Sequence, residues 1–571
     1  MKTRYIVPLL LFCLFACMAC EDDKTEMPRL FRPSFIASSC FAEDNTITLA
    51  WRTSGEATSY TVELSQDATF QSEKLETQTV EHGKCVFTNL RYETKFYARV
   101  RANNESLAIT SNWTEMGSFI STLSRTIPKI LYAVEDSRIS ETSVEIKWVV
   151  SEKNPVDGLA IWEEGTTEER QISLENASAG QYTITGLTPR TTYYVALTNS
   201  AAPEGAEKYN QQRFTTAGMP ADAVVVEDGV DLMDKIKAGM TDASKQALVF
   251  QLKNGVDYYL TAGGEVAAKT GDIKLTKSIA LLANPGERPT LYIREGCFNV
   301  KPESGNMPDI EYFVVDNVNI KETWTDSKPS KGSKTRLLNI GKHDAGTDFT
   351  IDRFEITNSD IVLPSAVLMM SDASEGVTTI NHIRIDNCLV SGINTSAVSK
   401  QFGFIHAINK GSNVWNDVSV TNSTFYEFYI SPGVFGAPTA NVPIAAGNKV
   451  VISNCTFYNW GSNKDGKNTY RAVGNFSKLT APLNLSVNNC VFGSSESKVL
   501  DAGGINLSSK GNYCTSDFEK MSDAGLTLIS LDTDDASLFR NIEENDFTVI
   551  DAESVIYKSE YGDPRWITVL D

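Results

Sequence analysis

The sequence predicts an all-β protein in which two tandem β-sandwich modules are followed by a right-handed parallel β-helix with an N-terminal capping helix. Residues 33–123 and 127–217 alternate apolar and polar positions in short runs separated by turn-forming residues, which is the pattern of antiparallel strands. Residues 220–571 repeat one apolar frame around an Asn six times, and such a repeat indicates stacked coils.

Composition limits the classes of function that remain. The 571 residues are 41% hydrophobic and 22% charged, which is typical of an ordered protein with several domains. The 52 basic and 72 acidic side chains leave a formal charge of −20, and this charge argues against binding to nucleic acid or to an anionic membrane surface. With only 4 His and 10 Cys and no HExxH motif, a metal-centred redox enzyme is not indicated.

The first segment, residues 1–20, is predicted to be a signal peptide. Lys2 and Arg4 precede an apolar run at residues 6–15 that is too short to span a bilayer, as in secretory signals. The segment ends in Leu-Phe-Ala-Cys-Met-Ala-Cys, which resembles a bacterial lipoprotein signal. Cleavage as an ordinary secreted protein is the alternative.

Cys17 and Cys20 are the two candidates for the lipidated residue. The residues before Cys17 fit the usual pattern, but the acidic cluster after Cys20 resembles the surface-export signal of gram-negative polysaccharide-degrading bacteria. We therefore assign lipidation to Cys20. Residues 21–32 are polar and form the predicted tether. No later run is apolar enough to cross a membrane, so the lipid would be the only anchor, at the cell surface of the outer membrane.

The two modules resemble fibronectin type III domains. Each has a Trp on its second strand, Trp51 or Trp148, and a later Leu-x-x-x-Thr-x-aromatic stretch. The resemblance implies that the Tyr193 hydroxyl bonds to backbone in a tyrosine corner, whereas the first module has Phe96 at that position. Such modules are usually spacers or docking surfaces and say little about chemistry.

Cys40 and Cys85 both lie in the first module. They could form a disulfide in an oxidising compartment, and two separate buried thiols are the alternative.

The repeat of the C-terminal segment has the frame apolar-x-apolar-x-Asn-x-x-apolar, centred on Asn317, Asn358, Asn387, Asn422, Asn454 and Asn489. A period-2 pattern that breaks at an Asn describes two strands joined by a one-residue bend, and Asn tolerates the left-handed conformation that such a bend requires. The Asn separations are 41, 29, 35, 32 and 35 residues, so each coil must also contain a loop.

Stacking of the coils places equivalent residues in columns. Phe425, Phe457 and Phe492 should stack, the amides should form an Asn ladder, and Cys388, Cys455 and Cys490 should be buried, inert thiols. The amphipathic stretch at residues 230–236 is predicted to cap the open end of the first coil, which begins at residues 247–252.

This segment resembles the pectate-lyase-like β-helix superfamily. It more narrowly resembles the β-helix domains of uncharacterised function that follow fibronectin-type modules in surface lipoproteins of polysaccharide-utilising bacteria. The narrower resemblance depends on the Asn frame and on two C-terminal stretches, residues 545–548 and 562–566. We expect both stretches to close the last coil.

A pectate lyase needs an Arg base and carboxylates that hold calcium, and a hydrolase of this fold needs paired carboxylates. Neither set can be assembled from the sequence. Arg471 as a base and His406 as an acid are the weak candidates, and a core position is the alternative for His406. Acidic runs at His343-Asp344, Asp348 and Asp352 and at Asp532, Asp534 and Asp535 have enough oxygens for calcium, but solvated loops are the simpler interpretation.

Aromatic side chains suggest a different chemistry, since sugar rings stack on Trp and Tyr. The predicted ligand-binding residues are those between the repeat frames, where binding residues collect in loops: Trp324, Trp415, Trp460, Tyr429 and Tyr470.

The sequence therefore predicts a lipid-anchored cell-surface protein that binds a polysaccharide without cleaving it, with no cofactor unless calcium is bound. An outer-membrane glycan importer would be a partner. A divergent lyase acting on a pectin-like glycan and a structural or protein-docking component are the alternatives.

Overall fold

The computed structural model describes residues 29–261, 270–294, 296–323, 336–364, 367–372, 375–393, 402–407, 412–430, 433–436, 449–461, 470–476, 483–495, 497–501, 505–519 and 526–570. Two compact units are present: one contains the chain up to Thr126 with Asn199–Lys208, and the other contains Ile127–Thr198 and the chain from Tyr209 onward. The predicted signal peptide with Cys17 and Cys20 lies outside the described residues. Among the helices of the described ranges, none is long and apolar enough to cross a membrane.

The first module is an antiparallel sandwich. Trp51 and Tyr60 pack in its core with ring centroids 5.5 Å apart. Cys40 and Cys85 are separate thiols, and the Cys85 thiol donates to Gln78 Oε1 at 3.1 Å. Its strands are Ser34–Phe35, Phe41–Glu43, Thr46–Arg52, Ser59–Ser65, Glu76–Val80, Lys84–Phe87, Lys95–Asn104, Ile109–Thr110 and Thr114–Ser121.

The second module is also an antiparallel sandwich, with Trp148 in its core. The Thr188 backbone N–H donates to Tyr193 Oη at 3.0 Å, so the predicted corner contact is confirmed. Phe96 fills the corresponding place in the first module without a hydroxyl. The strands of the second module are Ser143–Lys147, Gly158–Glu163, Glu169–Ser173, Gln181–Thr185, Thr192–Thr198 and Lys208–Thr215.

The rest of the chain is a parallel β-helix, and the predicted fold class is confirmed. Its described strands form three parallel sheets of ten, ten and eight strands. The first sheet contains Val224–Val226, Ala247–Leu252, Lys277–Leu282, Asp309–Asp316, Asp348–Thr357, Val377–Asp386, Ser412–Thr421, Lys449–Ser453, Leu483–Asn488 and Ile505–Lys510. The second contains Asp257–Tyr259, Thr290–Ile293, Asn319–Glu322, Asp360–Val362, Leu389–Ile393, Thr424–Phe428, Thr456–Tyr458, Val491–Phe492, Tyr513–Cys514 and Ile529–Ser530. The third contains Gly271–Leu275, Gly296–Val300, Arg336–Ile340, Val367–Ser371, Ile405–Ala407, Phe435–Gly436, Arg471–Asn475 and Lys498–Asp501.

The bend between the first and second sheets is made by the repeated Asn. All six have a positive φ between 50° and 58°, which confirms the predicted left-handed conformation. The amide ladder is interrupted, however. Asn387 Nδ2 donates to Asn358 Oδ1 at 2.8 Å, but Asn422 Nδ2 donates to a carboxylate, Asp386 Oδ1, at 2.8 Å. Aspartates thus replace some of the amide acceptors.

The interior columns match the prediction. Phe425, Phe457 and Phe492 are fully buried and stack with centroids 5.1 Å apart at both steps. The Cys388 and Cys455 thiols are buried, and burial raises the pKa of Cys388 to about 12. Because the thiolate is the reactive form, such thiols are inert at neutral pH.

A helix, Leu232–Thr241, covers the open end of the first coil. Asp231 caps it by accepting a hydrogen bond from the Asp234 N–H at 3.0 Å, which satisfies one unpaired donor of the first turn. Leu232 and Ile236 are buried against the first coil. The predicted capping helix is confirmed.

The C-terminal segment does not close the last coil, which corrects the prediction. It contains the helices Asp535–Leu538 and Val555–Ser559 and the strands Phe539–Asn541 and Asp546–Val549. Phe547 packs between Tyr426 and Tyr458 on the outside of the second sheet, at 5.5 and 5.2 Å. Arg565 Nη2 donates to Asn387 Oδ1 at 3.1 Å. The segment therefore runs back along several coils, because outward tyrosines offer it an apolar surface.

Candidate binding site

The two described tryptophans of the predicted set are buried. Trp415 is 5% exposed, and in register it pairs with Ile380 in an inward column. Trp460 is 0% exposed, and its Nε1 donates to the Lys498 carbonyl at 2.8 Å. Neither ring has a face open to a sugar, so the prediction for these two residues is wrong. Trp415 is inward because two consecutive outward residues, Asn416 and Asp417, break the alternation between it and Val418 of the apolar frame.

The two tyrosines of the predicted set remain partly accessible, and Trp324 lies outside the described residues. Tyr429 is half-buried, and its hydroxyl accepts a hydrogen bond from Asn459 Nδ2 at 3.1 Å. Burial, followed by the Glu427 charge, raises the pKa of Tyr429. Tyr470 is half-buried and packs its ring against the backbone of Gly461. These rings lie at a corner of the coils, next to the third sheet.

His406 is a buried, neutral side chain. Its Nδ1 accepts a hydrogen bond from the Gly403 N–H at 3.1 Å, and its ring lies 5.0 Å from that of Phe402. Burial, with a smaller contribution from Arg336, lowers the pKa of His406 to about 4. The imidazole is therefore neutral at neutral pH and lacks the acidic proton of an imidazolium, and this corrects its assignment as a candidate acid.

Arg471 is held in an ion-pair network. Its Nε lies 2.5 Å from Asp501 Oδ2, and Lys498 Nζ lies 2.9 Å from Asp501 Oδ1. Burial acts to raise the pKa of Asp501, but hydrogen bonds from Lys498 and Arg471 lower it overall. The carboxylate stabilises the Arg471 cation, whereas a base must be neutral, so the geometry does not support the assignment of Arg471 as a base.

Outward polar side chains line both ends of the third sheet. Asn299 and Asn339 occupy equivalent positions and are joined by a hydrogen bond of 2.8 Å. The same row continues through Met370, His406, Gly436, Asn475 and Asp501. It faces outward because the residues beside it, such as Leu338 and Ile405, are buried in the core. We call these positions the third-sheet row.

The acidic runs do not form a metal site in the described structure. His343 is buried, with Nδ1 2.7 Å from the Thr347 carbonyl and Nε2 2.7 Å from Thr378 Oγ1. Asp535 Oδ2 accepts a hydrogen bond from the Ser494 N–H at 2.8 Å. No group of three or more His, Cys, Asp or Glu within the described ranges is arranged to hold a metal ion.

The second sandwich packs against the outward face of the first sheet through buried ion pairs, which the sequence analysis missed. Arg213 Nη2 lies 2.7 Å from Asp386 Oδ2, and Arg213 Nε lies 2.8 Å from Glu164 Oε1. Arg384 Nη2 joins both carboxylates, 3.0 Å from Glu164 and 2.9 Å from Asp386. Outward charges such as Arg384 and Asp386 are visible in the strand pattern, but their partners on the sandwich are not.

Two further contacts hold the sandwich on the β-helix. Arg190 Nη2 lies 3.0 Å from Asp316 Oδ2. Lys129, whose side chain is buried, lies 2.6 Å from Glu560 Oε1 of the C-terminal segment. Removal of Glu560 would leave the buried Lys129 ammonium without its carboxylate, so these pairs favour this placement of the sandwich over one that mismatches them.

Comparison with known proteins adds one family match. Residues 450–566, which include the last coils and most of the C-terminal segment, match a family model described as a domain of unknown function, DUF5123. No curated protein matches the chain. Among solved structures, the chain is similar to the FN1–FN3 domains of chicken CNTN1, at 16% identity over 34% of this chain and 69% of that chain, with a TM-score of 0.15. It is also similar to a two-domain fibronectin type III segment of chicken tenascin, at 16% identity over 33% of this chain and all of that one (100%), with a TM-score of 0.19.

Proposed function

We propose that this protein is a cell-surface lipoprotein with a pectate-lyase-like β-helix that binds a polysaccharide and does not cleave it. The observation that supports this best is the state of the two candidate catalytic groups beside the third-sheet row. His406 is neutral and buried, and Arg471 is a cation paired with Asp501. The described residues of this face therefore offer hydrogen-bonding groups rather than an acid and a base.

The same face has the chemistry that sugars require. Amide and guanidinium groups at Asn339, Asn475 and Arg471 can bond to hydroxyls. Half-buried Tyr429 and Tyr470 lie at the neighbouring corner, and an aromatic ring combines an apolar face with a polar hydroxyl. Met370, His406 and Gly436 in the middle of the third-sheet row are buried. The accessible polar groups therefore form one stretch at each end of the sheet, and each stretch can hold a short run of sugars.

The binding prediction can be tested by affinity electrophoresis of the full chain, solubilised in mild detergent, in gels that contain plant or host polysaccharides. We expect retardation by one polysaccharide class. Tyr470→Ala should weaken the retention roughly fivefold to a hundredfold if the ring is a stacking hot spot. The matched control is Tyr132→Ala, because Tyr132 is exposed on the second sandwich and its removal should leave retention unchanged.

The same preparation tests for catalysis. We expect neither reducing ends nor an unsaturated product. An absorbance increase at the wavelength of an unsaturated uronide, abolished by Arg471→Ala, would instead establish the divergent lyase. Absence of both retention and product across the panel would favour the structural or docking alternative.

We propose Cys20 as the lipidated residue, on the acidic cluster that follows it. Cys20→Ala should abolish incorporation of a radioactive fatty acid, with Cys17→Ala as the matched control. Loss of label in Cys17→Ala alone would contradict the assignment. Surface exposure at the outer membrane should then make the intact protein accessible to protease added to whole cells, and a glycan importer would be its expected membrane partner.

A further inference from the structure

The contact between the second sandwich and the β-helix encloses a partly open cavity of about 390 Å³. Its floor is the outward face of the first sheet, and its roof is the edge of the sandwich around Arg190 and Thr215, with Pro220 of the linker. Small-ligand sites have volumes of about 300–1,000 Å³ and lie preferentially between domains. We call this space the interdomain cleft.

One end of the interdomain cleft is apolar. Val249 points outward from one strand of the first sheet and Ala280 and Leu282 from the next, and all three cluster with linker residues such as Met219. Val314 continues this surface on the next strand. Val249, Ala280 and Leu282 are only 7%, 5% and 2% exposed, so the linker covers them. The apolar surface left to a ligand is that of half-buried Val314.

The other end is formed by charged groups on adjacent strands. Arg353 follows Tyr312 in register, and its guanidinium lies 5.3 Å from the centre of the Tyr312 ring. Arg353 Nη1 is 3.6 Å from Glu355 Oε2, beyond hydrogen-bond distance, and 41% of its side chain is exposed. Glu355 pairs in register with Arg384. This end therefore presents donors and acceptors side by side.

Charge balance restricts the ligand class. The charge of Arg190 is neutralised by Asp316. The charges of Arg213 and Arg384 are neutralised by the carboxylates of Asp386 and Glu164. Arg353 is balanced by Glu355, and Asp222 adds a further negative charge to the lining. A carboxylate or phosphate ligand would find no surplus of positive charge, whereas vicinal hydroxyls can donate to Glu355 and accept from Arg353.

We propose that the interdomain cleft binds a short, uncharged stretch of sugars, with a C–H face on Val314 and the hydroxyls on Arg353 and Glu355. This is a second site, on the first sheet, and it is separate from the third-sheet row. It does not depend on the function proposed for that row.

The test is calorimetric titration of the full chain in mild detergent with neutral cello-, xylo-, manno- and galacto-oligosaccharides, with oligogalacturonate as the anionic probe. We expect one neutral series to bind. Arg353→Met should weaken that binding roughly tenfold to a hundredfold, because hydrogen bonds to a charged group are lost, and Glu355→Gln should weaken it less. The matched control is Lys449→Met, since Lys449 occupies the same outward row of the first sheet beyond the cleft.

Hydrogen exchange distinguishes ligand binding in the interdomain cleft from ligand binding at the third-sheet row. Saturation with the neutral probe should slow exchange in Asp309–Asp316 and Asp348–Thr357, whereas ligand on the third-sheet row would protect Arg471–Asn475. Wild-type affinity in Arg353→Met, protection restricted to the third sheet, binding of oligogalacturonate alone, or no binding by any neutral series would each overturn the proposal. Protection of the cleft strands alone would sustain it even if the third-sheet site fails.

Discussion

Phe457→Asp is expected to lower the free energy of unfolding of the β-helix by at least about 4 kcal/mol, because it places an unpaired carboxylate in a dry column. Phe457 is fully buried and stacks between Phe425 and Phe492 at 5.1 Å on each side. The substitution therefore removes both ring contacts and buries a charge. Differential scanning calorimetry of the full chain should show the loss as a lower melting temperature.

Phe457→Leu is the matched control, since it keeps the column apolar and removes only part of its volume. We expect it to cost about 1–2 kcal/mol. An unchanged melting temperature in Phe457→Asp would contradict the burial of this column.

Asp386→Ala is expected to destabilise the second unit by about 3–5 kcal/mol, because it leaves the Arg213 cation without its closest carboxylate. The Asp386 side chain is 2% exposed, and besides Arg213 and Arg384 its oxygens accept hydrogen bonds from Thr421 and Asn422. Loss of this one carboxylate thus breaks contacts to the sandwich and to the next coil. Urea unfolding should report the change.

Asp417→Ala is the matched control, because Asp417 lies on the adjacent strand of the same sheet face but is 44% exposed, with His382 Nδ1 at 3.8 Å and Lys449 Nζ at 3.9 Å. Exposed pairs of this kind contribute about 0–1 kcal/mol. Equal losses of stability in the two variants would contradict the buried network.

The effect of Asp386 should depend on pH. Burial acts to raise the pKa of Asp386, but Arg213 and Arg384 outweigh it and hold the pKa below its ordinary value of 3.8. A carboxyl with a lowered pKa stabilises the folded state fully above its unfolded pKa and loses that contribution as the pH falls through its folded pKa. The difference between wild type and Asp386→Ala should therefore be constant near neutral pH and shrink below about pH 4.

Local requirements explain which features were predictable. The Asn bend needs one left-handed residue in each coil, and this demand is met by neighbouring atoms alone, so all six positions could be read from the repeat. The Phe425 and Phe457 column follows for the same reason, since equivalent residues of stacked coils must meet. Residues outside the repeat have no equivalent in the next coil, so their positions could not be predicted in this way.

Trp415 and His406 show where local patterns fail. Trp415 lies three residues before Val418, the first apolar position of its frame, on a strand that begins at Ser412. Strict alternation would turn its ring outward, but two consecutive outward residues, Asn416 and Asp417, shift the alternation and turn the ring inward. His406 points outward from its sheet and is nevertheless buried. A break in the alternation of a strand and the covering of an outward face both depend on the whole coil, so neither can be predicted from a few adjacent residues.

The sequence by itself determined the all-β class, the Asn bend of each coil, the capping helix and the apolar columns, because each depends on periodicity and on the conformational preference of single residues. Only the tertiary structure decided that the second sandwich lies on the first sheet and that a cleft separates them. Arg213 and Asp386 are 173 residues apart in the chain. An ion pair between such distant residues depends on how two complete surfaces meet. The local sequence of either surface does not identify the surface that it contacts.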